Sequence, residues 1–364
     1  MRYIGNKTKL LGFIRQTLKR RGIRPGTAVD PFSGTASVAR ALKSWGFRVT
    51  ASDLMEYAYV LGRAYVEVPA PPDLSNLPEL ADATTAGSTD DGAPLRAAIA
   101  YLNELPPNPG FIHEHFTPAG EVGREHGRMY FTPENAARID AARETIQAWR
   151  TTGMIGDDAF YVLLAALIEA ADAVANTAGV YAACIKSWQP NALRPLRLRT
   201  PRIVAGNGCR AFRRDALALV ADTEPFDLLY LDPPYNTRQY PAYYHIPELI
   251  ASGWFDTQVV LRGKTGLLDD ADKRSDWCRR NRCEDAFEAL VATAPFRHLV
   301  MSYNAEGIIP ERTIERVLKT YGSAATYRRY TRPYKRYRSD TDGENRRYRG
   351  DDVVEYLYCV ERRG

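Results

Sequence analysis

The stretch that decides the fold is Phe226-Asp227-Leu228-Leu229-Tyr230-Leu231-Asp232-Pro233-Pro234-Tyr235. An apolar run that ends in an acid reads as a buried strand with a carboxylate at its carboxyl end, where open α/β sheets bind their ligands. Two prolines then fix the backbone and remove two N–H donors, leaving the first proline's carbonyl as an acceptor. The tyrosine adds a flat face. Together these groups suit the activation of an exocyclic amino group on a base. Such a nitrogen is a poor nucleophile because its lone pair is delocalised into the ring. A carboxylate and a carbonyl that accept its two N–H protons favour a more tetrahedral nitrogen. A stacked ring holds the base, worth about 1–3 kcal/mol. The competing reading is a strand end closed by a proline turn.

Upstream, the first seventy residues repeat the same logic. Leu10, Leu11, Ile14 and Leu18 recur at helical spacing, and Gly22 with Pro25-Gly26 ends that helix. Thr27–Asp30 is a short strand running into Pro31-Phe32-Ser33-Gly34-Thr35-Ala36-Ser37, a tight turn of small residues. A second helix buries Val38, Ala39 and Leu42, and Arg48–Asp53 is the next strand, again ending in an acid. Strand, glycine turn, helix, strand and acid is the order of a nucleotide-binding half of a doubly wound sheet. Asp53 is placed to accept hydrogen bonds from ribose hydroxyls. The chain has no GxGxxG and no P-loop, which points to a nucleoside cofactor without a pyrophosphate.

From Pro69 to Pro94 the composition shifts to Pro, Ala, Ser, Thr and Asp, as in a surface excursion. Thr132-Pro133 is a helix start, followed by a stripe of Ile139, Ile146 and Trp149. Phe160 to Val174 is apolar nearly all round and predicts a buried central helix. Strands are expected again at Arg202–Ala205, Phe226–Leu231 and His298–Tyr303, with a hairpin from Ala325–Arg332 and Val353–Val360 at the sheet edge. The expected organisation is therefore α/β: a doubly wound sheet from residues 1–70 and 200–364, interrupted by a mainly helical lobe over residues 71–199.

Composition sets the outer bounds. The chain has 364 residues, 45% hydrophobic and 26% charged, which is ordinary globular material. The longest apolar stretch, Phe160 to Ile168, is far short of the roughly 18 residues a spanning helix needs. Five scattered cysteines form no CxxC pair, and a reducing cytoplasm is expected. Net charge is +5, with Arg, Lys and Tyr crowded between Tyr327 and Arg349 and a second basic run around Lys264, Lys273, Arg274, Arg279, Arg280 and Arg282. Cations interleaved with rings suit a polyanion carrying flat bases; a solvated charged face is the bland alternative. His113, His115 and His126 lie close together, but no acid or cysteine completes a ligand set, so no metal is expected. Ser33 and Ser302 lack a paired histidine and are not expected nucleophiles.

Five stretches carry a resemblance: Arg2-Tyr3-Ile4-Gly5-Asn6-Lys7, Asp30 to Ser37, Asn176 to Tyr181, Leu231 to Tyr240, and Ser302-Tyr303-Asn304. In this order they resemble the N6-adenine DNA methyltransferases of the Dam-like class in its α arrangement, in particular the FokI-type modification methylases. The resemblance covers nearly the whole chain and implies a Rossmann-like methyltransferase sheet with S-adenosylmethionine as cofactor. It implies that Tyr3 and Lys7 hold the methionine end, with Lys7 near its carboxylate. Phe32 and Gly34 would shape the pocket floor, Asp30 would be a further cofactor-binding residue, Asp53 would bind the ribose, and Asp215 would accept from the cofactor's adenine amino group. Asp232, Pro233, Pro234 and Tyr235 would grip the target adenine beside Ser302-Tyr303-Asn304. Two departures stand out: Ala36 replaces a glycine common among relatives, and Asn207-Gly208 is a rival alignment for Asp215.

The implied reaction is methyl transfer to adenine N6 in double-stranded DNA by direct attack. The base must swing out of the duplex, at a cost of a few kcal/mol. Arg238, Tyr240 and Lys264 are candidate DNA contacts. So is Arg128, although Arg128-Met129-Tyr130-Phe131 reads equally as a core aromatic pair with a surface arginine. The expected partner is DNA, with no membrane, and a restriction endonuclease acting separately would complete a self-marking system. Cytosine N4, RNA adenine and a catalytically idle DNA-binding protein remain as alternatives.

Overall fold

The computed structural model describes residues 2–80, 90–255, 258–269, 271–335 and 352–363. Contacts divide the chain into two compact units. One, mainly helical, comprises Met1–Ile4, Arg63–Val204 and Pro241–Ala271; the other comprises Gly5–Gly62, Ala205–Tyr240 and Asp272–Gly364 and carries the sheet.

The sheet has seven strands: β1 (Thr27–Asp30), β2 (Arg48–Asp53), β3 (Arg210–Arg213), β4 (Phe226–Leu231), β5 (Phe296–Asn304), β6 (Arg328–Lys335) and β7 (Asp352–Glu361). Their order is β3-β2-β1-β4-β5-β7-β6. The first five run parallel. β7 inserts antiparallel beside β5, and β6 pairs antiparallel with β7 at the edge. β1 leads outward through β2 to β3, whereas β4 leads the other way to β5, so the winding reverses between β1 and β4. That switch point is where such sheets open a ligand crevice.

β1, β2 and β4 occupy the expected residues, and β4, an interior parallel strand covered on both faces, reads as an apolar run. In β4, Leu229 and Leu231 join a core with Leu219, Val220, Phe287, Leu290, Met301 and Val317. Leu228 and Tyr230 alternate with them and are also buried.

The strand expected at Arg202–Ala205 is absent; that segment is irregular, and β3 forms at Arg210–Arg213 instead. Two glycines with positive φ, Gly206 at 149° and Gly208 at 74°, precede it. β3 is an edge strand in which only Ala211 is buried, so it carries no apolar run to read.

In the helical unit the Pro133–Thr151 helix begins as expected: Thr132 caps it by accepting from the Asn135 N–H, and Ile139, Ile146 and Trp149 are buried. The Asp157–Val174 helix is buried along most of its length. This unit differs from the expected 71–199 lobe by also including Pro241–Ala271. Hydrogen bonds explain that return. The Arg143 Nε donates to the Ile250 carbonyl at 2.8 Å, and the Tyr181 N–H donates to the Tyr243 carbonyl at 2.8 Å. No described helix is long and apolar enough to cross a membrane.

Candidate active site

Asp30 ends β1, and Asp232 follows directly on β4. Because Ala28 pairs with Leu228 and Val29 with Leu229, the register delivers both carboxylates to the same end of adjacent strands. Asp30 is only 2% exposed. Burial, and then the charge of Asp232, push its carboxyl well above the usual range, while the Phe32 N–H opposes them.

Asp232 lies in a compact network within the sheet unit. Lys7 Nζ stands 3.2 Å from Asp232 Oδ1 and 2.7 Å from Glu355 Oε1. The Tyr235 hydroxyl donates to Asp232 Oδ1 and lies 3.3 Å from Glu355 Oε1. Lys7 also lies over the Tyr235 ring, 4.4 Å from its centroid. Burial raises the Asp232 carboxyl, Lys7 pulls it down and Glu355 pushes it up, and the balance stands at about 7. Burial lowers the Lys7 ammonium, but Asp232 and Glu355 outweigh it, so its pKa lies above the ordinary lysine value.

The tetrapeptide is braced from behind. The Tyr303 hydroxyl donates to the Pro234 carbonyl at 3.5 Å, and the Ile308 N–H donates to the Tyr235 carbonyl at 3.1 Å. The rings of Tyr235 and Tyr303 meet edge to face at 5.2 Å. Just beyond, Gln239 and Ser275 exchange two hydrogen bonds, of 3.0 and 2.8 Å, which tie the segment after the tetrapeptide to the 275 region.

The glycine turn is equally definite. Gly34 has φ +48° and Ala36 has φ +56°. Ala36 is fully buried in the left-handed region that favours glycine, so the missing glycine costs the turn roughly 1–2 kcal/mol of backbone strain. Asp53 Oδ2 accepts from the Gly34 N–H at 3.0 Å and Oδ1 from the Met55 N–H at 3.0 Å. Phe32 packs edge-on against Trp277 at 4.7 Å.

Tyr3 belongs to the helical unit, stacked on Tyr244 at 4.6 Å. Asp215 is exposed and caps the Ala216–Ala221 helix, its Oδ1 accepting from the N–H groups of Leu217 and Ala218. Arg238 and Lys264 are exposed, and Tyr240 is half-buried.

Arg128 corrects the sequence reading. It is 1% exposed, and its guanidinium donates to the carbonyls of Lys264, His115 and Gly263 at 2.8–3.1 Å. Tyr130 and Phe131 are also buried. Arg128 is thus neither a surface arginine nor open to DNA; it fixes the turn that presents Lys264.

Sequence reasoning missed Glu355. Its signal was an acid inside an apolar strand pattern, on the same alternation as Leu357 and Cys359, all buried.

Sheet order, reversed β7 and an acid–proline tetrapeptide at the switch point together define a doubly wound α/β methyltransferase. The chain belongs to the D12 class N6 adenine-specific DNA methyltransferase family, whose sequence pattern matches residues 3–317, and it is an adenine-specific DNA methyltransferase. Type II methyltransferase M.NlaIII of Neisseria lactamica is 33% identical over 100% of this chain and 99% of its own. Type II methyltransferase M.FokI of Planomicrobium okeanokoites is 34% identical over the whole chain, which spans 53% of that protein. Type II methyltransferase M.CviAII of Paramecium bursaria Chlorella virus 1 is 29% identical over 98% of this chain and 97% of its own. No solved structure matches.

Proposed function

We propose that the protein methylates N6 of an adenine swung out of double-stranded DNA, using S-adenosylmethionine and no covalent enzyme intermediate. The observation that carries this reading is the Asp232 carboxylate beside Asp30 at the switch point, with Pro233, Pro234 and Tyr235 braced behind it.

The residues present fit the cofactor. Asp53, tied to the Gly34 N–H, is a carboxylate at a tight glycine turn and suits a ribose diol. Asp30 and Phe32 flank the same turn, and Asp215 and Tyr3 are proposed for the adenine and methionine ends. Lys7 is already paired with Asp232 and Glu355, so its proposed place is beside the acceptor carboxylate rather than at the cofactor's carboxylate. S-adenosylmethionine supplies an electrophilic methyl group on a sulfonium.

The protein's own groups supply position and polarity. Asp232 accepts one N6 proton and the Pro233 carbonyl the other; the Pro234 and Tyr235 carbonyls already have donors. The Tyr235 ring stacks on the base. As the N6–methyl bond forms and the sulfur–methyl bond breaks, the amino group sheds a proton. A carboxylate whose pKa is near 7 is suited to take it. Arg238, Tyr240 and Lys264 are proposed DNA contacts. The type II names of the relatives support a role in self-marking alongside a separate restriction endonuclease.

Nucleoside mass spectrometry after incubation with labelled cofactor tests this reading. Label in N6-methyladenine from duplex DNA is expected, and Asp232→Ala should abolish it while cofactor binding survives. Label in N4-methylcytosine or in RNA alone, or an active Asp232→Ala enzyme, would refute it.

A further inference from the structure

We propose that Glu355 is a positioning residue of the methyl-transfer site, holding Lys7 and the Tyr235 hydroxyl so that the Asp232 carboxylate stays available to the target amino group. The inference rests on the reading of Asp232 as the acceptor of an N6 proton.

The geometry is specific. One oxygen, Glu355 Oε1, accepts from Lys7 Nζ at 2.7 Å and Ser302 Oγ at 2.6 Å, and lies 3.3 Å from the Tyr235 hydroxyl, whose single proton goes to Asp232. Two of those groups, Lys7 and Tyr235, also reach Asp232. Glu355 takes the shorter bond from Lys7. The sheet pins it in place, because β7 sets Glu355 opposite Asn304 of β5 and Arg332 of β6.

A buried carboxylate is costly and belongs in a core only where partners and a purpose justify it. Leu357 and Cys359 show what this strand places on the same alternation otherwise. Glu355 is 3% exposed and Ser302 is fully buried, so the pair is built into the sheet.

The chemistry follows from charge. An ammonium paired with Asp232 alone would saturate that carboxylate and drain its basicity. Glu355 shares the ammonium and adds a second negative charge nearby. Asp232 then remains a strong acceptor, and Lys7 still orients it. The groups that face this pair are Lys7 from the N-terminal stretch, Asp30 of β1, Tyr230 of β4, Tyr235 after it, Ser302 and Asn304 of β5, and Arg332 of β6. Arg332 is exposed, with its guanidinium over the Phe13 ring. Lys7 is therefore the cation that Asp232 and Glu355 share.

The test compares wild type, Glu355→Gln and Glu355→Asp in methyl transfer to duplex DNA across pH, with sinefungin affinity and thermal melting measured alongside. Glu355→Gln is expected to keep sinefungin affinity and folding but lose about a hundredfold in kcat, the scale of a misplaced reacting group. Its acid limb should move down by roughly one pH unit, because a neighbouring negative charge has gone. Glu355→Asp keeps the charge, so its limb should stay near the wild-type position even if kcat falls. Wild-type kcat and limb in Glu355→Gln would overturn the proposal. So would equal losses in both variants with no movement of either limb, the mark of a packing role. An inactive wild type would overturn the functional reading, and this inference with it.

Discussion

Asp232 is pulled in opposite directions by its neighbours. Burial and Glu355 raise its carboxyl and Lys7 lowers it, with a balance of about 7. Only the ionised form can take up the proton that N6 sheds, so the competent population falls as pH drops through that value. The expected outcome is an acid limb near pH 7 in kcat/KM, losing about tenfold per pH unit below it. A flat profile between pH 5.5 and 8 would remove Asp232 from that role. This residue was legible because it opens a run of four unusual residues that follows a strand. Glu355 was not: a single acid in an apolar run acquires meaning only when β7 places it against Lys7 and Ser302.

At the level of elements, legibility followed burial. β4 is covered on both faces and its ends were read to the residue, whereas β3, at the edge and mostly exposed, was misplaced. The helical unit holds a device of the same hidden kind. Asp140, fully buried on the Pro133–Thr151 helix, accepts from the N–H groups of Gly110, Ile112 and His113 at 2.8–2.9 Å. It thereby caps the Phe111–Phe116 helix from a distant element. Asp140→Ala orphans three N–H groups, each worth roughly 1–3 kcal/mol when buried and unpaired. A loss of at least about 3 kcal/mol in denaturant unfolding is expected, with Asp140→Asn falling between the two because it keeps one acceptor oxygen. An unchanged midpoint in Asp140→Ala would show that the cap contributes nothing.

At the scale of the molecule, a net charge of +5 is modest, and what matters is which cations are exposed. Arg238 and Lys264 are exposed; Arg128 is spent on carbonyls. Arg238→Ala and Lys264→Ala should each weaken DNA binding and flatten the plot of log affinity against log salt by about 0.9 per lost phosphate contact. Arg128→Ala should instead lower stability, measured by melting. An unchanged salt slope in both surface variants would move the DNA contacts elsewhere. The basic run from Tyr327 to Arg349 lies outside the described residues from 336 onward, and the expected excursion from Pro69 to Pro94 lies outside them over 81–89.

By itself the chain dictated β1, β2, β4 and the tetrapeptide, since burial on both faces and proline's fixed backbone leave marks in the local pattern. Folding alone decided that Lys7, Asp232, Tyr235, Ser302 and Glu355 share one network across 348 positions of sequence. It alone decided too that Pro241–Ala271 joins the helical unit and that Arg128 faces inward. These outcomes depend on partners distant in sequence, and pairings of that kind leave no local period to read.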